Sequence, residues 1–396
     1  MRTSQVLTTQ TGTVNYNFDA DSRRTSAAIT GASSNQSYSY TYDADNELKT
    51  ISSTGGVSLS ASLMYDNDGH RMSLTTNNAV TTTYGYDADS RLTSLSFTTP
   101  GNNSLGQLAY NYDNDSRLTS ETGSLASLNL PQTEGPNVYT NTNQIQSWNS
   151  QPAAMDKAGN LTSDPTSSAT FAWDSRNQLT SVTNGPASLF TASYDAILRR
   201  DSQTTAFGGT TSYVHDSKDV AQSSNTNTPN PISNYLAMPG TGEVLAFAST
   251  AGGTTNTYIP LEDGQGSALG LVNSGNVLQT QFTYDPFGNP TTTGTASQYP
   301  YLFRGMEYDA TGLYYGGGVY YSPNLGRPLQ QVTPGGGGGG QGGINVSTPS
   351  SQGSSGGGLS GGGVAANTGI GAAYGLLSFF AGSFAVSALA ARGESR

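Results

Sequence analysis

The sequence predicts an all-β fold of stacked β-hairpin repeats that form a curved or spiralling β-ribbon. A ten-residue motif, YDADSRLTSL at residues 86–95, recurs through the first half of the chain. Residues on both sides of its first Asp alternate between aromatic or apolar and small polar types, which is typical of strands with one buried face. With 50 Gly, 23 Tyr and only 11% charged residues, the composition favours strands and turns over helices.

The first Asp of each copy marks the repeats. The markers recur with a period of about 20–25 residues, the range in which one supersecondary unit stacks on the next instead of folding alone. They are Asp19, Asp43, Asp66, Asp87, Asp113, Asp156, Asp174, Asp195 and Asp216.

Each repeat unit is predicted to be a strand, a tight turn and a second strand. The stretch YSYTYD at residues 38–43 places Tyr on one face, and the alternation resumes after the turn, as in LTSL at residues 92–95. The Asp-x-Asp-Ser segment between them favours a reversal, because short polar side chains bond to their own backbone two residues on.

The aromatic and basic residues of the motif are predicted to join one hairpin to the next. Arg91 and Arg117 each lie four residues after their Asp, so an Asp–Arg contact across the turn or to the next hairpin is expected. Exposed pairs of this kind add little stability, which favours a role in register. The assigned repeat-motif residues are Asp43, Asp66, Asp87, Arg91, Asp113, Arg117, Trp173 and Asp174.

The chain divides into five predicted segments. Residues 1–216 form the repeat array, and residues 217–255, polar and Pro-bearing at first, form a connector and a strand. A denser β module follows at residues 256–329. Residues 330–363 are a Gly/Ser-rich linker predicted to be disordered, and residues 364–396 are an apolar segment predicted to contain a short helix.

Charge and cysteine content exclude several function classes. The net charge is −11, and no Lys/Arg cluster occurs that could neutralise phosphates, so nucleic-acid binding is not expected. Without cysteine there is neither a disulfide framework nor a thiolate metal site. The first residues lack an apolar run typical of a signal peptide, and they lead almost directly into a repeat, which favours a piece of a longer protein or a split reading frame.

Four ordered blocks in the dense module carry a resemblance to a known family. They are YDPFG at 284–288, YLFRG at 301–305, TGLYY at 311–315 and YYSPNLGR at 320–327. These blocks resemble the core domain associated with RHS (rearrangement hotspot) or YD repeats, and the resemblance extends over about residues 14–329. The core-motif residues are Tyr284, Asp285, Pro286, Gly288, Gly312, Tyr314, Tyr315, Gly326 and Arg327.

The resemblance implies a function as well as a fold. In bacterial polymorphic toxins and insecticidal toxin complexes, such a ribbon spirals into a shell around a C-terminal toxin. The chain is therefore expected to be a structural shell scaffold, secreted or at the cell surface. Its expected partners are a toxin cargo, an immunity protein or a longer RHS chain. The alternative is an adhesive or carbohydrate-binding repeat protein that uses the faces of Tyr40, Tyr86, Tyr112 and Trp173.

No catalytic, metal or cofactor site is predicted. Family members that cleave themselves carry an Arg and carboxylates near the end of the core, where this chain has Val319, Ser322 and the pair VT at 332–333. The Asp-x-Asp turns lack the Gly and Glu of a calcium-binding loop. Neither His70 nor His215 lies near a nucleophile motif.

The uncharged tail leaves three interpretations open. Residues 335–363 are rich in glycine, and residues 370–391 form a run of 22 residues without charge. That length spans a bilayer as a helix. The run is therefore a membrane-inserting helix, an apolar helix held inside a shell, or a vestigial tail.

Overall fold

The computed structural model describes residues 4–9, 12–56, 58–77, 79–131, 135–141, 144–227 and 229–331. These residues form antiparallel sheets and one short 3₁₀ turn at Phe303–Gly305. The prediction of an all-β fold of stacked hairpins is confirmed. The ribbon does not close into a barrel, because each large sheet keeps two edge strands.

The first sheet contains eleven strands in sequence order. They are β1 (Ser4–Thr9), β2 (Gly12–Phe18), β3 (Arg24–Thr30), β4 (Gln36–Tyr42), β5 (Leu48–Gly55), β6 (Leu59–Tyr65), β7 (Arg71–Thr76), β8 (Val80–Tyr86), β9 (Leu92–Thr99), β10 (Asn103–Tyr112) and β11 (Leu118–Thr122). A small sheet follows, with β12 (Val138–Tyr139), β13 (Ile145–Trp148) and β14 (Gln151–Pro152).

The second sheet contains fourteen strands, again in sequence order. They are β15 (Ala154–Met155), β16 (Leu161–Ser163), β17 (Ala169–Trp173), β18 (Leu179–Asn184), β19 (Ala187–Tyr194), β20 (Arg200–Thr205), β21 (Gly209–Asp216), β22 (Asp219–Asn225), β23 (Ile232–Ala237), β24 (Val244–Ala251), β25 (Thr254–Glu262), β26 (Ala268–Asn273), β27 (Leu278–Tyr284) and β28 (Pro290–Gly294). The core sheet has β29 (Glu307–Tyr308), β30 (Tyr314–Gly316), β31 (Val319–Ser322) and β32 (Arg327–Pro328).

The first and second sheets pack face to face. Alternate residues of the first sheet, such as Ile51, point inward and form an apolar cluster with Leu236 and Ala246 of the second sheet. The Tyr38 hydroxyl crosses the interface and donates to the Tyr235 carbonyl at 3.1 Å. Burial of this apolar surface, at about 25 cal/mol per Å², is the main force that holds the two layers together.

The core sheet packs against a further group of apolar side chains from the second sheet. Tyr314 and Tyr321 join a buried cluster with Phe247 and Phe282. Tyr320 lies in a separate cluster with residues of β17 to β19. The second sheet is thus covered by the first sheet along part of its length and by the core sheet along another part.

The predicted connector is strand in the structure. Residues 217–240 contain β22 and β23, and the second sheet continues across the predicted boundaries at residues 216 and 255. The inward residues here include Gln222 and Asn234, which are 1% exposed and joined by a 2.8 Å hydrogen bond. Because buried polar side chains replace apolar ones, the hydrophobic alternation that identifies a strand is lost.

The glycine-rich stretch and the apolar run of the tail fall in residues 332–396, which lie outside the described residues. Within the part of the chain that the structure describes, no helix is both long and apolar enough to cross a membrane.

Candidate functional site

The repeat turn is built around one carboxylate. Asp87 Oδ1 accepts the backbone N–H groups of Asp89 at 3.0 Å and Arg91 at 2.9 Å, and Ser90 has a left-handed φ of 63°. The carboxylate thus satisfies two turn donors that the strands cannot reach. The same pair of bonds forms at Asp19, Asp43, Asp66, Asp113, Asp156, Asp174, Asp195, Asp263 and Asp285.

The basic residues of the motif lie where the sequence places them, beside their Asp. Arg91 Nε donates to Asp87 Oδ2 at 2.7 Å, and its Nη1 reaches Ser116 Oγ of the next hairpin at 3.3 Å. Arg117 Nη1 lies 3.7 Å from Asp113 Oδ2, but the Arg117 side chain is 59% exposed. Arg91 therefore links two hairpins, whereas the pair at Arg117 adds little.

In seven of the described repeats, the Tyr or Trp before the Asp makes a contact that the sequence pattern did not show. The Tyr112 hydroxyl donates to the Leu92 carbonyl of the preceding hairpin at 2.8 Å, and Trp173 Nε1 donates to the Leu161 carbonyl at 2.7 Å. In each case the acceptor is the first residue of the strand that leaves the preceding turn. The same bond forms from Tyr42, Tyr65, Tyr86, Tyr194 and Tyr284.

These bonds bear on the sugar-binding alternative. Tyr86, Tyr112 and Trp173 each pack over the preceding hairpin and are partly buried, while Tyr40 is 5% exposed. Sugar-binding aromatics need an open ring face, and this row of rings instead covers the neighbouring repeat.

Tyr112→Phe should lower the free energy of unfolding by about 1 kcal/mol, since the Leu92 carbonyl loses its partner while the ring remains. Urea unfolding measures this change. The matched control is Tyr258→Phe, because the Tyr258 ring stacks on Phe247 and no hydrogen bond of its hydroxyl is found among the described residues. Equal losses in the two variants would contradict a role for the hydroxyl–carbonyl bond.

Three inward-facing arginines form the most distinctive polar feature of the interior. The first residue of the strand after a turn points inward and is usually leucine, as at Leu48, Leu92, Leu161 and Leu179. In three repeats it is arginine. These interlayer arginines are Arg24, Arg71 and Arg200.

Each interlayer arginine pairs with an acid from a different part of the fold. Arg24 Nη1 lies 2.7 Å from Asp216 Oδ2, and Arg71 Nη1 lies 2.6 Å from Glu243 Oε2. Both pairs join the first sheet to the second. Asp216 is one of the repeat markers, and here it is the partner of Arg24 across the interface. Its carboxylate also accepts a hydrogen bond from the Tyr16 hydroxyl at 2.7 Å.

Arg200 joins the second sheet to the core sheet. Its side chain is 1% exposed, and its Nη2 lies 2.6 Å from Glu307 Oε2. Asp309 Oδ2 lies 3.7 Å from Nη1, and the Tyr315 ring centroid lies 4.3 Å from the guanidinium carbon. Burial by itself lowers the pKa of Arg200, but Glu307, Tyr213, Tyr320 and Asp309 together outweigh burial, so this pKa lies well above its ordinary value. The guanidinium is therefore charged and compensated by two carboxylates.

Two carboxyls of this cluster bear on the prediction that the core does not cleave itself. General acid–base hydrolysis needs a carboxyl pair with access to water and to a peptide bond. Glu307 Oε1 accepts the Tyr213 hydroxyl at 2.6 Å, and Asp309 Oδ1 accepts the Thr311 N–H of its own turn at 2.9 Å, so each carboxyl has a partner inside the fold. Ser322, where family members carry Asp, is 4% exposed and accepts the Leu325 N–H at 3.3 Å.

Sequence reasoning missed Arg200, although a signal was present. Arg199 repeats the turn contact of Arg91, with Nη2 2.6 Å from Asp195 Oδ2. Arg200 follows it directly, at a position that leucine usually occupies. A charged residue at an inward position of the repeat predicts a buried partner, because an isolated buried charge is too costly to persist.

The core motif forms the packing surface for this cluster. The Tyr314 hydroxyl donates to the Gly288 carbonyl at 2.7 Å, and Tyr315 covers Arg200. A Cβ at Gly288 would lie 2.5 Å from the Phe303 ring, and its φ is 94°, so only glycine fits this turn. Gly326, with φ of 60°, lies against Phe287 in the same way.

The remaining core-motif residues form turns and edges. Asp285 and Pro286 lie in the turn between β27 and β28, and Gly312 has a φ of 79° in the turn that Asp309 begins. Arg327 pairs with Ser322 in the core sheet, and its guanidinium carbon lies 5.4 Å from the centroid of the Tyr139 ring.

One turn has the composition of a metal site. The ligand atoms of Asp66, Asp68 and His70 lie within 4.8 Å of one another. Asp66 Oδ1 accepts two backbone N–H groups, as in the other repeats, and Oδ2 lies 3.0 Å from His70 Nδ1. The hydrogen bonds of the turn therefore account for this arrangement.

His215 is a buried titratable group beside Arg200. Its Nε2–H donates to the Arg200 carbonyl at 2.9 Å, which leaves Nδ1 as a buried atom with no hydrogen-bond partner among the described residues. Burial lowers the pKa of His215 to about 4. The imidazole is therefore neutral at pH 7.

When pH falls from 7 to 5, the free energy of unfolding of the wild-type protein should fall by about 2 kcal/mol more than that of the His215→Gln variant. Because the folded-state pKa lies below the unfolded value, the unfolded chain takes up the proton first, and stability falls from pH 6.5 toward 4. The comparison with the variant is needed because burial raises the pKa of Asp219 to about 6, which has the opposite effect. Urea midpoints of both proteins at the two pH values measure the difference, and parallel losses would contradict it.

Comparisons with known proteins agree with this architecture. The sequence model of the Teneurin YD-shell family matches residues 55–332. The tRNA3(Ser)-specific nuclease WapA of Bacillus spizizenii is 30% identical over 190 residues, and the tRNA nuclease WapA of Bacillus subtilis is 29% identical over 190 residues. Each match covers 46% of this chain but 8% of the relative's length.

Solved structures show the same fold. A mutant Tc holotoxin pore of Photorhabdus luminescens matches with a TM-score of 0.62 and 17% identity, over 82% of this chain and 20% of that chain. The TcdB2-TccC3 structure matches with a TM-score of 0.62 over 81% of this chain and 21% of that chain. The predicted resemblance to RHS and YD-repeat proteins is confirmed, and the chain belongs to the Teneurin YD-shell family.

Proposed function

We propose that this chain is a wall segment of a YD-repeat shell that serves toxin delivery and has no catalytic activity of its own. The observation that carries the proposal is the set of three interlayer arginines. Each fixes one layer against another across the interior, which is what a wall needs. The hydroxyl–carbonyl bonds between hairpins support the same role along the ribbon.

The names of the similar proteins support the link to toxins. The WapA proteins are tRNA nucleases, and the matched structures belong to a holotoxin pore and to a TcdB2-TccC3 assembly. This chain matches a small part of each relative, and we expect it to contribute to the shell and not to a toxin domain. We expect the protein to be secreted or at the cell surface, with a toxin cargo, an immunity protein or a longer repeat chain as partner.

Intact mass measures whether the chain cleaves itself. Purified protein incubated at 37 °C should remain one species of 41.0 kDa, because the carboxylates near the core are held by Arg200 and by turns. A fragment boundary between residues 327 and 335 would overturn the non-catalytic assignment.

A competition assay tests the delivery role. In the producing strain, Arg200→Met should abolish killing of sensitive cells, since the core sheet loses its ionic contact with the second sheet. Arg91→Met, which changes a surface turn, is the matched control and should retain killing. Immunoblots establish that both variants are produced at equal levels. Full killing by the Arg200→Met strain would count against a shell in delivery.

A further inference from the structure

Four carboxylates lie along the interface between the first and second sheets. Glu121 lies on β11, the last strand of the first sheet. Glu262 is the last residue of β25 in the second sheet, Glu243 directly precedes β24, and Asp263 directly follows β25. We call these four residues the acidic seam. They line two cavities between the layers, and Asp263 borders both.

Fewer basic than acidic side chains line the two cavities of the acidic seam. Arg71 lines the first cavity and pairs with Glu243, and Arg304 lines the second. Asp285 also borders the second cavity, where its oxygens serve its own turn. The other titratable groups that face the seam are tyrosines: Tyr84 and Tyr86 of β8, Tyr110 of β10, Tyr284 of β27 and Tyr299.

The local environment favours the protonated forms of Glu121 and Glu262. Burial, with Asp263 nearby, raises the pKa of Glu121 to about 7. Burial, with Glu243 and Asp263 nearby, raises the pKa of Glu262 as well, and the Tyr299 hydroxyl lies 3.4 Å from its Oε1. Like charges in a region of low dielectric cannot all ionise without separating.

We propose that the acidic seam is a proton-dependent contact, which holds the two sheets together while Glu121 and Glu262 are protonated and loosens as rising pH ionises these two carboxyls. The direction of this pH dependence follows from the raised pKa of the carboxyls. A carboxyl with a raised folded-state pKa binds its proton more tightly in the closed interface, so that contribution is present at low pH and lost as pH rises through about 7. In a shell wall, rising pH would loosen the enclosure, and this consequence rests on the proposed function. The proton-dependent contact itself does not depend on that role.

One backbone amide reports closure of the interface. The Gly264 N–H donates to the Tyr110 hydroxyl of the opposite sheet at 2.8 Å. Its hydrogen-exchange protection factor, corrected for the intrinsic exchange rate, should fall at least about tenfold between pH 5.5 and 8. The Val182 amide, inside the second sheet, should change much less.

Substitutions identify the groups responsible. Glu121→Gln and Glu262→Gln should each raise Gly264 protection at pH 8 and flatten its pH dependence. The matched control is Asp45→Asn, an exposed acid in a repeat turn, which should keep the wild-type dependence. A wild-type protection factor that is constant with pH would overturn the proposal, and so would unchanged slopes in both glutamine variants. If Glu262→Gln does not fold, Glu121→Gln and the wild-type series still decide the question.

Discussion

Replacing Arg200 with methionine should lower the free energy of unfolding by about 3–5 kcal/mol, the cost of breaking a buried ion pair from one side. Methionine fills much of the same volume, so the loss reports charge and not a cavity. Glu307 and Asp309 would remain in the interior without their cation. Urea unfolding followed by tryptophan fluorescence measures the change.

The control for this variant is Arg91→Met, where the guanidinium lies at the surface turn. The Arg91 pair with Asp87 is one quarter exposed, so its loss should cost about 1 kcal/mol or less. If the two variants lose equal stability, the Arg200 cluster is not a buried ionic contact of the kind described. Adding Glu307→Gln to Arg200→Met should recover part of the loss, because one uncompensated charge is removed.

The repeat turn could be predicted because all its partners lie close in sequence. Asp87 bonds to residues two and four positions later, and Arg91 returns to the same carboxylate. Such bonds depend on spacing, which a sequence shows directly. The period and the hairpin unit follow from the same local information.

The interlayer arginines could not be paired from the sequence. Arg24 and Asp216 are 192 residues apart, and Arg71 and Glu243 are 172 apart. Which acid meets which arginine depends on how the first sheet lies on the second, and no local pattern encodes that. The sequence did not show the strands β22 and β23 for a related reason. The buried Gln222 amide donates a hydrogen bond to Ser34, and this partner is 188 residues away.

Replacing Arg71 with leucine should lower the free energy of unfolding by about 3 kcal/mol, although leucine is the usual residue at this position of the repeat. Glu243 lies 2.6 Å from Arg71 and has a side chain 14% exposed, so it would stay buried without its cation. The guanidinium contact with the Tyr84 ring, at 4.5 Å, would be lost too. Urea unfolding at pH 7 measures the cost.

Adding Glu243→Leu to Arg71→Leu should bring stability back to within about 1 kcal/mol of wild type, because apolar pairs replace buried ion pairs at little cost. A double variant as unstable as Arg71→Leu would contradict this, and would mean that the arginine acts through Tyr84 alone. Recovery would show that the ion pair is not needed for stability. Its role would then be register: an apolar pair tolerates a shifted sheet, whereas Arg71 and Glu243 are satisfied in one alignment of the two layers.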